Sequence, residues 1–220
     1  MEDGRSSTSV LRLFVAISPP ENVKDQIEKA QQQLRRAASG NIVRWTKRDQ
    51  FHLTLKFLGN VEATRVKELT QALHGACLGT GPLRLRAEQI GFFPGARVPR
   101  VLWVGVNDEQ DKLSRLQNSV EMNVKKFTDE NAAQPRSAGC ASPGVPPASS
   151  REKFTGHITL GRIQRIRRLE SEALSKATAA IANPFFGEWT ANHIELIRSE
   201  LSSTGSRYTT LAEIPLIEKQ

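Results

Sequence analysis

Two stretches of this chain repeat the pairing of an imidazole with a hydroxyl. His52-Leu53-Thr54-Leu55 and His157-Ile158-Thr159-Leu160 share the pattern His-apolar-Thr-Leu, and the 220 residues contain only four histidines. Histidine titrates near neutrality, so one imidazole can accept a proton while another gives one. A threonine hydroxyl can donate to an oxygen on which negative charge builds. One such tetrapeptide alone reads more simply as an ordinary surface or core histidine. A matched pair points instead to a duplicated unit, whose two polar faces could surround one reacting group.

The elements that must position these residues read as strands. Phe51 to Phe57 and Ile158 to Ile163 are rich in apolar and β-branched residues, which favours extended chain. Alternation then sends His52 and Thr54 to one face and Leu53 and Leu55 into a core. His157 and Thr159 do the same against Ile158 and Leu160. Each copy presents its imidazole and hydroxyl about 6.6 Å apart, two strand rises.

Around the motifs, Leu11 to Ile17 reads as an opening strand. Ser18-Pro19-Pro20-Glu21 reads as a capping box with proline in the first turn. Val23, Ile27, Ala30 and Leu34 follow at helical spacing, to about Ala38. Ile42 to Trp45 is a short strand, and Val66, Leu69, Leu73 and Cys77 mark a second helix, on which His74 reads as structural. Leu83 to Phe92 and Val101 to Val106 form a strand pair whose connection carries Arg97 and Arg100. That connection reads as a hairpin loop, with a substrate groove as the alternative. Leu113, Leu116, Val120, Val124 and Phe127 define a third helix, and Leu169, Ala173, Ala177 and Ala180 a fourth. The chain closes with strands near Phe185 to Leu201 and Tyr208 to Ile214, with His193 as a plain surface residue. Asn131 to Arg151 is dominated by Ala, Pro, Ser and Gly and reads as a flexible surface insertion. There is no strict βαβ alternation with glycine-rich turns, so the expected class is α+β, with largely antiparallel sheet and helices on its outer faces.

Composition sets the remaining bounds. The formal net charge is +8 and 38% of residues are hydrophobic. The excess of Lys and Arg suits an anionic partner such as RNA. Cys77 and Cys140 form neither a disulfide framework nor a zinc pattern. Met1 to Ser9 lacks the features of a signal peptide, and no apolar run reaches membrane-spanning length. The expectation is a soluble, cytoplasmic, monomeric protein without a membrane partner, metal or cofactor.

The chain resembles the two-histidine phosphoesterase superfamily, and most closely its RNA 2′,3′-cyclic phosphodiesterase branch, also called 2′-5′ RNA ligase-like. The resemblance rests on Leu13-Phe14-Val15-Ala16-Ile17 with Pro20, Val43-Arg44-Trp45, Phe51 to Gly59, Gly91-Phe92-Phe93-Pro94, Arg100 to Val106, Phe154 to Arg162, Tyr208, and Ile214-Pro215-Leu216. It implies a single domain over residues 10–217, bilobal, with two pseudo-equivalent lobes and a central cleft. It implies opening of a 2′,3′-cyclic phosphate at an RNA end to a 2′-phosphomonoester, with His52 as proton donor and His157 as proton acceptor. Thr54, Thr159 and Arg162 would bind the phosphate. A bell-shaped pH profile with limbs near the ordinary imidazole pKa of about 6.5 is expected, indifferent to chelator. The alternatives are a 2′-5′ RNA ligase running the reverse reaction, and a non-catalytic RNA- or nucleotide-binding module. One departure is Gly156, where the family usually has proline, which would loosen the approach to the second motif strand. The other is the long insertion.

Overall fold

The first strand, β1 (Val10–Ile17), buries Leu13, Val15 and Ile17 on one face and Phe14 and Ala16 on the other. It is an interior strand of a nine-stranded sheet in which every strand pairing is antiparallel. The computed structural model describes residues 9–38, 42–128, 154–164, 167–181, 184–202 and 205–218. The stretch read as an insertion, 131–151, lies outside the described residues.

After β1 come α1 (Glu21–Ala37), β2 (Val43–Trp45), β3 (Leu53–Glu62), α2 (Val66–Cys77), β4 (Leu83–Phe93) and β5 (Val101–Asn107). Then follow α3 (Lys112–Val124), β6 (His157–Ile163), α4 (Arg168–Ala179), β7 (Phe185–Ala191), β8 (His193–Ser202) and β9 (Gly205–Pro215). The sheet runs β7-β4-β5-β6-β3-β1-β8-β9, with β2 beside β6. The motif strands β3 and β6 are the central pair. Outward from them, β5-β4-β7 on one side matches β1-β8-β9 on the other. β1 and β5 each lead into a helix, α1 or α3, and thence to a motif strand, so the expected duplication is present as two halves of one curled sheet.

The helices repeat this exchange. α1 packs on α4, and α2 on α3. Gln31 of α1, buried, donates through Nε2 to the carbonyls of Thr46 and Leu160, each at 2.8 Å. Gln117 of α3 makes a longer contact, 3.5 Å, to the carbonyl of Leu55. The leucine ending each motif is thus held from behind by a helix belonging to the other half.

Three local readings change. No capping box closes α1: its N-cap is Pro20, without a side-chain bond. Ser18 Oγ instead donates to Glu195. The buried stripe of α4 is Ser171 and Leu174, while Leu169 is exposed. The sequence favoured the apolar leucine, but Ser171 buries its hydroxyl by donating to the Ala96 carbonyl at 2.9 Å, which satisfies the polar group. The strand read through Phe185 to Leu201 is broken at Asn192, and its two parts join opposite sides of the sheet.

Gly156 does not loosen the second motif strand. It is buried, and its carbonyl accepts the Val106 N–H at 2.8 Å. A Cβ there would come within 2.4 Å of the Val106 carbonyl oxygen. The position is fitted to a close backbone approach.

Candidate active site

Leu53, Leu55, Ile158 and Leu160 are 0–3% exposed, each contributing about 1.5–3 kcal/mol by burial. A one-residue slip of either strand would exchange that apolar set for the polar one, so burial of the leucines fixes the outward face. His52, Thr54, His157 and Thr159 all lie half-buried on it. Leu53 pairs with Ile158 across the centre. Continued one residue each way, that register sets His52 across from Thr159 and His157 across from Thr54.

Each imidazole is tethered in the same way. His52 Nδ1 lies 2.7 Å from the Gln50 carbonyl, and His157 Nδ1 lies 2.8 Å from the Thr155 carbonyl. A carbonyl can only accept, so Nδ1 carries the hydrogen in both rings and Nε2 is left for chemistry.

Both rings are backed by aromatics. Phe14 and Tyr208 stand 4.9 and 5.5 Å from His52, centroid to centroid. Phe93 and Trp103 stand 5.0 and 6.5 Å from His157. Gly91, opposite Trp103 on the neighbouring strand, makes room for the indole, since a Cβ there would meet the ring at 2.2 Å.

Burial and charge depress both imidazoles. His52 is lowered to about 4, first by desolvation and then by the charges of His157 and Arg162, against a raising contribution from the Gln50 carbonyl. His157 is lowered by desolvation and by Arg162, against a raising contribution from the Thr155 carbonyl. The two rings repel each other's charge, so a proton on either disfavours a second on its partner. Arg162 is exposed, acts on both rings, and forms no ion pair with a described residue. The Thr54 and Thr159 hydroxyls have no partner among the described residues. The four motif residues therefore lie at the β3–β6 centre, with Arg162 farther along β6.

Metal ligation finds little support at the motifs. Among the described residues one group of three could hold an ion, His193, Glu195 and Glu213, with ligand atoms within 4.8 Å of one another. It lies on β8 and β9 and includes neither motif histidine. Spacing along the chain hid this group, because the β8–β9 pairing brings Glu213 opposite Glu195. Cys77 is buried, with its thiol pushed up to about 12 by desolvation, so it is no nucleophile. His74 is exposed on α2.

Known proteins resemble this chain along most of its length. A family model described as LigT like Phosphoesterase matches residues 17–103. An RNA 2′,3′-cyclic phosphodiesterase of Thermus thermophilus is 30% identical over 208 residues, covering 94% of this chain and 90% of that protein. The chain belongs to the LigT-like phosphoesterase family. A protein of the same name from Aquifex aeolicus is 28% identical over 208 residues, 94% of this chain and 98% of that one. The crystal structure of TT0787 of Thermus thermophilus superposes with a TM-score of 0.68 at 27% identity, covering 94% and 98% of the two chains.

In this LigT-like phosphoesterase, sequence reasoning named the imidazoles but not their supports. Phe14 carried a signal, since alternation from Leu13, Val15 and Ile17 turns it to the motif face. Tyr208, the chain's one tyrosine, is 156 positions from His52, and only the curl of the sheet brings them together. Phe93 closes the strand before a connection read as a plain hairpin loop, so that loop borders the site at its base. No helix among the described residues is long and apolar enough to cross a membrane.

Proposed function

We propose that this phosphoesterase opens 2′,3′-cyclic phosphodiester ends of RNA to 2′-phosphomonoesters, using its two histidines and no metal. The observation that carries this reading is the matched tethering of His52 to Gln50 and His157 to Thr155, which leaves two Nε2 atoms beside one arginine. In the reaction His157 takes a proton from water as the oxygen attacks phosphorus. The bond from phosphorus to the 3′ oxygen breaks, and His52 supplies the proton that the departing oxygen needs. Thr54, Thr159 and Arg162 donate to the non-bridging oxygens, where charge accumulates. The division of roles between the histidines comes from the family resemblance. The name borne by the relatives in Thermus thermophilus and Aquifex aeolicus supports the substrate class.

The test is incubation with an oligoribonucleotide ending in a 2′,3′-cyclic phosphate, followed by identification of the product isomer. A 2′-phosphomonoester is expected. A 3′-phosphomonoester, or no turnover by folded protein, overturns the proposal.

A further inference from the structure

Arg44 of β2 stands directly opposite Arg162 of β6 in antiparallel register. Residues so placed share a face with their Cα atoms about 4.5–5.5 Å apart, and like charges there repel. Both are exposed, and neither forms an ion pair with a described residue. Arg12 is a third cation without an ion pair to a described residue: it lies on β1 two residues before Phe14, so it shares the face that carries His52 and Tyr208.

Several arginines elsewhere on the surface do meet carboxylates. Arg48 meets Glu21 at 2.6 Å and Asp25 at 2.6 Å, Arg84 meets Glu188 at 2.9 Å, and Arg198 meets Glu200 at 2.8 Å. Arg12, Arg44 and Arg162 form no such pair with a described residue, and Arg44 and Arg162 face each other directly. Three cations on the face that carries the motifs make a site for anions.

The three cations do not serve one phosphate. Arg162 lies on β6, the strand that carries His157 and Thr159, whereas Arg44 lies on β2 and Arg12 on β1, each on a strand beside a motif strand. Arg162 therefore belongs to the reacting phosphate, and the other two lie one strand farther out from the motifs. A lone cyclic nucleotide has no second charge to offer there. A strand end has one, the phosphodiester joining the terminal nucleotide to its 5′ neighbour.

Resting on the activity proposed above, we infer that Arg44 and Arg12 bind the phosphodiester immediately 5′ of the reacting end, so that the enzyme selects oligonucleotides over cyclic mononucleotides. The bonds are charge-assisted, and the subsite carries no base-specific contact.

The experiment compares a nucleoside 2′,3′-cyclic monophosphate with a ribodinucleotide ending in a 2′,3′-cyclic phosphate, in wild type, Arg44→Ala, Arg12→Ala and Arg168→Ala. Wild-type kcat/KM should favour the dinucleotide by about tenfold or more, the worth of a charged hydrogen bond. Arg44→Ala and Arg12→Ala should collapse that ratio, mainly through KM. Each should also weaken its salt dependence, by about 0.7 in log–log slope for every phosphate that the variant no longer neutralises. Arg168→Ala, whose side chain pairs with Glu172 on exposed α4, should preserve the ratio. Equal kcat/KM for the two substrates in wild type, or a ratio unaltered by Arg44→Ala and Arg12→Ala, overturns the inference. Calorimetric binding of the matching 2′-phosphate products separates the two failures. If neither substrate turns over but the dinucleotide product binds more tightly and Arg44→Ala abolishes that advantage, the activity falls and the subsite stands. If it binds no more tightly, the subsite falls as well.

Discussion

Leu53 and Ile158 face each other across the centre of the sheet, and among the described residues theirs is the only strand pairing between β3 and β6. Everything the two motifs do together depends on this contact. It joins the halves, and its register continued one residue each way sets each imidazole across from the other half's threonine. β3 then diverges, and β2 takes its place against β6 at Gly161 to Ile163.

The first expectation concerns the imidazoles themselves. His52→Ala and His157→Ala should each lower turnover by about 10²- to 10⁴-fold, the usual worth of a general acid or base. Both side chains stand outside the apolar layer, so both variants should keep the wild-type far-ultraviolet circular dichroism. Near wild-type turnover in either variant would remove the two-histidine mechanism.

Much of this site was legible in the sequence, for a physical reason. Strand alternation is local, so four residues sufficed to separate a catalytic face from a buried one. The pairing partners were legible only through the duplication, because β3 and β6 are far apart in the chain. Of the aromatic supports Phe14 followed from the same alternation, but Tyr208 did not, since only the curl of the sheet brings it to His52. The misjudged phase of α4 has another cause. A buried Ser171 makes sense only with the Ala96 carbonyl above it, which apolar periodicity cannot register.

Deleting residues 132–150, or replacing them with a short Gly-Ser linker, should leave cyclic phosphodiesterase activity largely intact. Their composition offers little to bury, and β6 is fixed independently by the Val106–Gly156 hydrogen bond just before His157. Loss of activity in a folded deletion variant would make the segment part of the substrate site.

Stability should depend on pH through His52. Its folded value of about 4 lies below the unfolded value of about 6.5. Between these values the unfolded chain binds more protons, so the contribution is complete above 6.5 and is lost as pH falls toward 4. The shift corresponds to roughly 3 kcal/mol. Urea unfolding at pH 7 and pH 4.5 should therefore show a large acid loss in wild type and a smaller one in His52→Gln. Equal losses in the two proteins would contradict a buried, neutral His52.

Gly91→Ala should act on His157 from a distance. The added methyl group meets the Trp103 ring at 2.2 Å, and relief of such overpacking typically costs about 1–3 kcal/mol. Trp103 is the indole behind His157, so kcat should fall with little change in KM, accompanied by a shift in tryptophan fluorescence. Wild-type kcat together with an unshifted spectrum would show that Trp103 does not position the imidazole.

The pH dependence of the rate tests the mechanism most severely. The competent pair holds one proton, so kcat/KM, which reports the free enzyme, should follow a bell. Desolvation and Arg162 depress both imidazoles, which places that bell on the acid side of the 6.5 expected from unperturbed histidines, and its limbs belong to the pair jointly. For His52 to act as the acid, it must carry the pair's proton once the substrate phosphate is bound. An anion close to an imidazolium raises its pKa, and the bell in kcat should accordingly lie at higher pH than the bell in kcat/KM. Arg162→Ala removes a charge that lowers both rings, so both limbs of kcat/KM should move toward higher pH while the rate falls. EDTA should alter neither profile, because the His193–Glu195–Glu213 group excludes both motif histidines. Loss of activity with EDTA, restored by zinc or manganese, would replace paired imidazoles with a metal-bound hydroxide. Limbs that stay in place in Arg162→Ala would place the arginine outside the reacting centre.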